Sequence, residues 1–290
     1  MSGAAWAAAS GTLFGLFQAV SAIVVRRAVN VTLATLVQLS AATVVVATVA
    51  SLVEGLGRLS DAPLRSLVMF ALAGLVHFFV GWGALNRSQR RVGAARSAPL
   101  LATSPMFGLL VALVVSGARP GLVALAGIAA TMVGAYVITD PGAGHRVALT
   151  DSGWALATAF AWALSAVFTV EGLDAFPYPL LGVTVGLVAA AAPFAVMVAV
   201  GRTPAHWSDV RANMELKLLA GMVFALATWW RWLGLETTPI GVVLALQLMS
   251  VPSVLIVAPL IAGRSEEVVS GRLAVGTFIV LLGALALIFG

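Results

Sequence analysis

The sequence predicts an all-α membrane protein with ten transmembrane helices, arranged as two inverted five-helix repeats. Three observations support this prediction. Hydrophobic residues make up 61% of the 290-residue chain and charged residues only 9%, whereas charged residues make up about 25% of a soluble domain. Ten long apolar runs follow one another, and the order of residues in them repeats once along the chain. We therefore predict a multi-pass protein of the cell (plasma) membrane, surrounded by the lipid bilayer.

Net charge and cysteine content exclude several classes of function. The formal net charge is +5, but membrane proteins collect Lys and Arg in their cytoplasmic loops, so we predict no nucleic-acid partner. The chain has no cysteine, which excludes disulfides, thiolate metal sites and iron–sulfur clusters. The N-terminal "MSGAAWAAASGTLFG" has no basic residue ahead of its apolar run, which is typical of a retained first helix and not of a cleaved signal peptide.

The apolar runs set the predicted number of helices. A helix needs about 20 apolar residues to cross the hydrocarbon layer, and only helices or closed barrels satisfy every backbone group there. The alternating pattern of a membrane β-strand is missing from these runs, so each is predicted as a helix. The ten runs cover residues 4–25, 32–53, 66–86, 97–116, 121–139, 153–170, 179–200, 216–235, 240–262 and 271–289.

The chain repeats itself at an offset of about 148 residues. In the order of the chain, Trp6 corresponds to Trp154, and Trp82 corresponds to Trp230. Because each half has five helices, an odd number, the second half enters the membrane from the opposite side, which is the architecture of many secondary transporters. The predicted parts are a first repeat, a connecting loop and a second repeat, over residues 1–140, 141–152 and 153–290.

The ends of the two halves carry similar apolar sequences. The fourth and fifth predicted helices read "SPMFGLLVALVVSG" and "GIAATMVGAYVI", and the ninth and tenth read "VPSVLIVAPLIAG" and "GTFIVLLGALALI". Together with the two five-helix halves, this pattern resembles the drug/metabolite transporter superfamily, EamA type, over nearly the whole chain. The resemblance implies a transporter. Members usually carry a Glu just after the fourth helix, where this chain has Ala118, although Glu266 and Glu267 stand near that place in the second half.

Lys and Arg are distributed unevenly between the two predicted sides of the membrane. Twelve lie in or beside the loops that follow odd-numbered helices, and three lie in the other loops. Because the Lys- and Arg-rich side is cytoplasmic, the charges alone place both termini outside, whereas the resemblance implies that both are inside. The densest cluster is "NRSQRRVGAARSAP" (86–99), which is predicted as the loop between the third and fourth helices.

None of the eleven Asp and Glu residues lies in the middle of a predicted helix. Carboxylates within the membrane are the usual proton relays and cation sites of pumps. The related small multidrug-resistance proteins use a Glu of the first helix for proton exchange, and the first helix here has Gln18 instead. We therefore predict that this protein does not run a carboxylate-based proton antiport.

Two other ionisable residues do lie within predicted helices. His77 is in the middle of the third, where an ionisable group is by default a functional candidate; the alternative is a neutral histidine hydrogen-bonded to a neighbouring helix. Arg231, in "TWWRWLG" (228–234), shares a helix face with Thr228. It is either an interfacial arginine in an aromatic belt or an inward arginine that binds an anionic group, with tryptophan packed against it.

Polar residues at helical spacing indicate one cavity shared by several helices. Transporter sites lie near the bilayer midplane, between repeats and beside breaks in helices, and Pro105 and Pro252 are predicted helix bends. The alternative is that Ser, Thr and Gln only connect neighbouring helices through hydrogen bonds. The predicted substrate-binding residues are Phe14, Gln18, His77, Thr103, Trp162, Ser165, Thr228, Arg231, Gln247 and Ser250.

Small residues seven apart mark one face of the fifth and tenth helices. They are Gly127 and Gly134 in the fifth, and Gly276 and Gly283 in the tenth. Glycines let helices approach closely, and we predict that these two helices pack on each other within one chain and join the repeats. A homodimer formed through the same face is the alternative, so the predicted state is a monomer or a homodimer.

Enzyme signatures are missing from the sequence. It has no GxSxG, HExxH, P-loop or dinucleotide-binding fingerprint, and no second metal-ligating residue follows His77 at ligand spacing. We therefore predict no enzymatic activity, no cofactor and no metal. The predicted function is transport of a small organic metabolite, an amino acid or a related compound, in the direction of export and by alternating access. The alternative is a non-transporting membrane sensor or assembly subunit.

Overall fold

The computed structural model describes residues 2–116, 121–139, 149–201, 206–263 and 270–289. Helices and the turns between them account for these residues, and no strand occurs within these ranges. The predicted all-α class is thereby confirmed.

Fourteen α-helices follow one another in the described ranges. In the first half they are α1 (Gly3–Arg27), α2 (Val31–Val53), α3 (Leu64–Gly74), α4 (Trp82–Val92), α5 (Ala94–Leu101), α6 (Ser104–Ser116) and α7 (Leu122–Thr139). In the second half they are α8 (Leu149–Ala175), α9 (Pro179–Val200), α10 (Trp207–Arg211), α11 (Met214–Thr237), α12 (Ile240–Gln247), α13 (Ser250–Ala262) and α14 (Gly271–Phe289). A 3-10 helix (Leu56–Asp61) precedes α3, and a π-helical segment (Leu75–Gly81) joins α3 to α4.

Seven helical segments of the described chain are long and apolar enough to cross a membrane. Two of them combine several elements: Leu64–Val92 contains α3, the π segment and α4, and Ile240–Ala262 contains α12 and α13. Two shorter apolar helices, Leu122–Ile138 and Gly271–Ala286, belong to α7 and α14. These are the helices of a multi-pass membrane protein, and the count of ten spans stays a prediction.

The helix α1 lies at the centre of the bundle. In the most apolar 18-residue stretch of α1, 72% of the residues are buried, whereas the value for α2 is 28%. The reason is that α1 packs along both α11 and α13. In the second half, α8 packs in the same way along α3, α4 and α6. Two further pairs, α2 with α9 and α7 with α14, each join one helix from either half. The contacts of α1 thus have counterparts in the contacts of α8.

The prediction of a loop over residues 86–99 is wrong. The helix α4 continues to Val92, the chain turns at Gly93 with a backbone φ of 84°, and α5 starts at Ala94. A left-handed φ of this kind favours glycine. The segment was predicted as a loop because its arginines are charged, but a helix that leaves the membrane can expose charges on one face and still bury the other.

The buried face of this helical hairpin is polar. The Ser88 and Ser97 hydroxyls lie 2.7 Å apart across the turn, and the Gln89 amide donates a hydrogen bond of 3.1 Å to the Gln18 carbonyl oxygen of α1. The arginines on the other face remain exposed: Arg87, Arg90 and Arg91. The first bond closes the hairpin and the second connects it to α1, while the charges of the hairpin are presented at one end of the molecule.

Both predicted proline sites lie beside a break in a helix. In the first half, the helix ends at Leu101 and starts again at Ser104, just before Pro105. In the second half, it ends at Gln247 and starts again at Ser250, just before Pro252. Each proline occupies the first turn of the new helix. Backbone N–H groups there have no partner within the helix, so the proline, which has no N–H, costs no hydrogen bond. The bend therefore comes immediately before the proline.

The helices α7 and α14 meet at the four glycines singled out above. A Cβ on Gly134 would lie 2.7 Å from the Val280 backbone nitrogen and 2.8 Å from the Gly276 carbonyl oxygen. A Cβ on Gly283 would lie 2.8 Å from the Gly127 carbonyl oxygen. Such close backbone approach requires small residues. These glycines are therefore engaged between the two halves of one chain.

Candidate functional site

A small cavity lies where the two helix breaks meet the central helix. Its volume is about 20 Å³, which is enough for about one water molecule. Its walls come from α1, α8, α11 and both broken helices, and the break residues Ala102 and Leu248 line it directly. The cavity is therefore too small to hold an organic solute in this conformation. The remaining lining residues are Phe14, Leu101, Ser104, Trp162, Arg231, Leu244, Gln247 and Ser250.

Arg231 brings a permanent positive charge to this cavity. Only 2% of its surface is exposed. One guanidinium nitrogen, Nη2, donates a hydrogen bond of 3.2 Å to the Trp162 carbonyl oxygen, while Nη1 has no partner among the described residues. No described carboxylate forms an ion pair with it. Because Arg231 and its neighbour Trp232 are both buried, Arg231 is not an exposed arginine of an interfacial aromatic belt.

Trp162 lines the cavity and packs against His77, which lies outside the lining. Their rings are stacked, with centroids 5.0 Å apart and planes 8° from parallel. The Trp162 indole N–H donates a hydrogen bond of 3.3 Å to the His77 carbonyl oxygen, and the His77 Nδ1 lies 2.9 Å from the Ser165 hydroxyl. Trp162 therefore connects His77 to Arg231, since its own carbonyl oxygen accepts from the guanidinium.

The π-helical segment places His77 in this position. A π-helical turn is rare and is found frequently at functional sites. It widens the helix just where the Trp162 indole packs: a Cβ on Gly81 would lie 2.7 Å from that ring. The Thr158 hydroxyl also donates to the Gly81 carbonyl oxygen, at 3.2 Å. The π-helical segment thus packs closely against α8, and this packing places the ring of His77 against that of Trp162.

Residues 1–140 match the EamA-like transporter family. The first half of the chain is therefore similar to EamA-like transporters. A protein of known crystal structure is similar over nearly the whole length: 97% of this chain aligns with 95% of that chain, at 20% sequence identity and a TM-score of 0.63. At such low identity the similarity shows the fold alone. None of the curated proteins matches the sequence.

The EamA-like match confirms the resemblance to the drug/metabolite transporter superfamily. The match covers the first half of the chain, and the EamA-like family to which this half is similar is a family of membrane transporters that is generally non-enzymatic. The predicted departure from the family after the fourth helix concerns Ala118, Glu266 and Glu267, which lie outside the described residues.

Half of the predicted substrate-binding residues line the cavity: Phe14, Trp162, Arg231, Gln247 and Ser250. Two more, His77 and Ser165, reach it through Trp162. The Gln247 amide is partly used, because it donates to the Ala7 carbonyl oxygen at 3.2 Å and to the Ser10 hydroxyl at 2.9 Å.

The other three predicted residues lie outside the lining. Thr103 sits in the first helix break and donates to the Leu100 carbonyl oxygen at 2.7 Å. Thr228 is buried one turn before Arg231, with no hydrogen-bond partner for its hydroxyl in the described chain. Gln18 is buried towards the α4–α5 hairpin, and neither atom of its amide has a described partner. Sequence reasoning placed these three in the cavity because helical spacing gives a face but not a depth.

Three leucines were missed as cavity residues. Leu101, Leu244 and Leu248 line the cavity together with Ser104, which lies beside the predicted bend at Pro105. All of them lie within eight residues of Pro105 or Pro252. The prolines were therefore the available signal, because a helix break exposes the residues next to it.

The described carboxylates lie at the ends of helices and not at the cavity. Glu54 shows how one is used: it accepts hydrogen bonds from the backbone N–H groups of Leu180, at 3.1 Å, and Leu181, at 2.8 Å. These are orphan donors at the start of α9. Burial raises the pKa of Glu54 above its ordinary value, while the two hydrogen bonds and Arg58 oppose this shift. No group of three metal-ligating residues occurs among the residues that can be described.

Proposed function

We propose that this EamA-like protein exports a small organic metabolite bearing a carboxylate, an amino acid or a related compound, by alternating access. The observation that carries the proposal is Arg231, which is buried at the helix breaks with an unused N–H and no carboxylate partner in the described chain. Burying an unpaired charge is costly. A substrate carboxylate that pairs with the guanidinium supplies the missing counterion.

The rest of the lining is suited to the remainder of such a substrate. Phe14 and Trp162 present aromatic rings with centroids 5.6 Å apart, which can contact an apolar side chain. Gln247 and Ser250 offer polar atoms on the opposite broken helix. This mixture of apolar walls and a few polar groups is typical of small-molecule sites. A cavity of about 20 Å³ requires a second, open conformation for entry and release.

We further propose that the chain has ten spans arranged as two inverted repeats. Support comes from the matching contacts of α1 and α8, from the two helix breaks before Pro105 and Pro252, and from the pairing of α7 with α14. In inverted-repeat transporters the halves rock about a site near the midplane. The cavity at the two breaks lies where such rocking changes the distance between the halves.

The proposed orientation follows from the arginines. In the ten-span arrangement, Arg87, Arg90 and Arg91 lie on the same side of the membrane as the rest of the twelve basic residues counted above, and Lys- and Arg-rich loops are cytoplasmic. We therefore place this end in the cytoplasm of the cell membrane. Export then means that the substrate enters from the arginine-rich end.

A comparison of metabolites tests the proposed function. Cells that express the wild-type chain, cells that express Arg231→Gln and cells without the protein are grown in parallel, and the medium is analysed by mass spectrometry. We expect at least one carboxylate-bearing metabolite to accumulate in the medium of the wild-type cells only. Identical media from all three cultures would contradict transport and favour a sensor or an assembly subunit.

A further inference from the structure

A second, much larger cavity opens at the arginine-rich end of the molecule, away from the central site. Its volume is about 720 Å³, and it lies between α2, α4, α8 and α9. It shares no lining residue with the cavity at Arg231. We call it the lateral crevice and define it by its rim, Arg87, Arg90 and Arg91, and its floor, Phe79, Phe194 and Met197.

The rim of the lateral crevice is basic. Arg87, Arg90 and Arg91 follow each other at a spacing that puts them on one face of α4, and all three are exposed. The Arg87 guanidinium lies 5.0 Å above the ring of Trp154, which holds it at the mouth of the crevice. The rim is therefore built to receive a negatively charged group.

The floor of the lateral crevice is apolar, and part of its lining is exposed on the outer surface of the bundle. The rings of Phe79 and Phe194 pack edge to face, with centroids 5.0 Å apart, and Met197 continues the apolar surface. Val80 belongs to the same lining and is 51% exposed, although it lies within the apolar segment Leu64–Val92. The crevice is thus open sideways, towards the hydrocarbon layer.

We propose that the lateral crevice binds an anionic phospholipid, with the phosphate on the arginine rim and an acyl chain on the apolar floor. A basic rim above an apolar, laterally open floor complements the two parts of such a lipid, and basic pockets between transmembrane helices bind anionic headgroups. A soluble anion would use the rim but would leave the floor unoccupied. The site is independent of the transport proposal, because none of its lining residues belongs to the central cavity.

The chain offers a matched control and a blocking variant. Replacing Arg87, Arg90 and Arg91 with Gln removes three charges from the crevice, and replacing Arg27, Arg96 and Arg211 with Gln removes three charges from the same end of the molecule but outside the crevice. Gly83→Phe keeps every arginine. A Cβ on Gly83 would come no closer than 3.7 Å to a neighbouring side chain, so the added ring has room to enter the crevice.

Native mass spectrometry of the full-length protein in detergent tests the proposal, with phosphatidylglycerol or phosphatidylcholine titrated in and inorganic phosphate as a competitor. We expect the wild type to retain phosphatidylglycerol about tenfold more strongly than phosphatidylcholine. The crevice triple variant and Gly83→Phe should lose this preference, while the control triple variant keeps it and phosphate does not displace the lipid.

Several outcomes would overturn the proposal. These are no preference for phosphatidylglycerol in the wild type, an equal loss in both triple variants, full retention by Gly83→Phe, and displacement of the lipid by inorganic phosphate. The last result would assign the rim to a soluble anion. Because the readout is lipid binding and not transport, it stays informative if the transport proposal fails.

Discussion

Replacing Arg231 with Gln should abolish the transport of carboxylate substrates. The guanidinium is the buried charge at the cavity, and one of its N–H groups has no partner in the described chain. Removing one partner of a buried, hydrogen-bonded charge pair costs about 2–5 kcal/mol, a loss of roughly thirtyfold or more in affinity. The measurement is the initial rate of uptake of a radiolabelled carboxylate into vesicles, compared with that of an amine that lacks a carboxylate. The amine should be much less affected.

Two control variants separate recognition from folding. Arg231→Lys keeps the charge but loses the planar fork that pairs with a carboxylate, so it should restore part of the uptake. Arg211→Gln removes an exposed arginine of α10 and should leave uptake unchanged. Because Gln removes an uncompensated buried charge, the melting temperature of Arg231→Gln should not fall. Full uptake of carboxylates by folded Arg231→Gln would exclude Arg231 as the substrate anchor.

Replacing Gly74 with Ala should prevent folding. Gly74 is the last residue of α3, immediately before the π segment that carries His77. A Cβ there would lie 2.1 Å from the Gly186 carbonyl oxygen and 2.3 Å from the Gly186 Cα. Both are backbone atoms of α9, which cannot turn aside as a flexible side chain can. We expect a destabilisation of about 3 kcal/mol or more, measured as the loss of a monodisperse peak and of melting temperature after purification.

Gly241→Ala is the matched control for this prediction. It makes the same substitution in α12, where an added Cβ would meet nothing within 4 Å. It should keep the wild-type melting temperature or raise it slightly, because Ala is favoured over Gly in a helix by about 1 kcal/mol. Equal melting temperatures for the two variants would show that α3 and α9 are not in close backbone contact.

Some of the fold and site could be predicted because single residue types carry the signal. Prolines marked the two helix breaks, since proline is tolerated in the first turn of a helix and not in its interior. Glycines seven apart marked the pairing of α7 with α14, since only small residues allow that approach. Arg231 stood out because a charge inside a span needs a reason. Each of these signals is local and needs no knowledge of the partner helix.

Other features could not be predicted, because lipid and protein interior are equally apolar. A soluble helix shows its buried face by hydrophobic periodicity, whereas Leu122 and Leu260 are exposed here and Leu39 and Leu181 are buried. The depth of Gln18 was misjudged for this reason. The π segment at His77 depends on the packing of Trp162 from another helix. The close contact of Gly74 with Gly186 involves one glycine from each of two helices, and no repeated spacing in the sequence marks either of them.

Counterflow across liposomes tests most directly the claim that the Arg231 cavity carries a carboxylate across the membrane. Liposomes with the purified wild-type chain are loaded with an unlabelled amino acid or related carboxylate, and uptake of the labelled compound is followed at equal pH on both sides. We expect transient accumulation with the wild type and none with Arg231→Gln. An imposed pH gradient should change the initial rate little, since no described carboxylate lines the cavity. Absence of counterflow for every compound, or undiminished counterflow with Arg231→Gln, would contradict the claim.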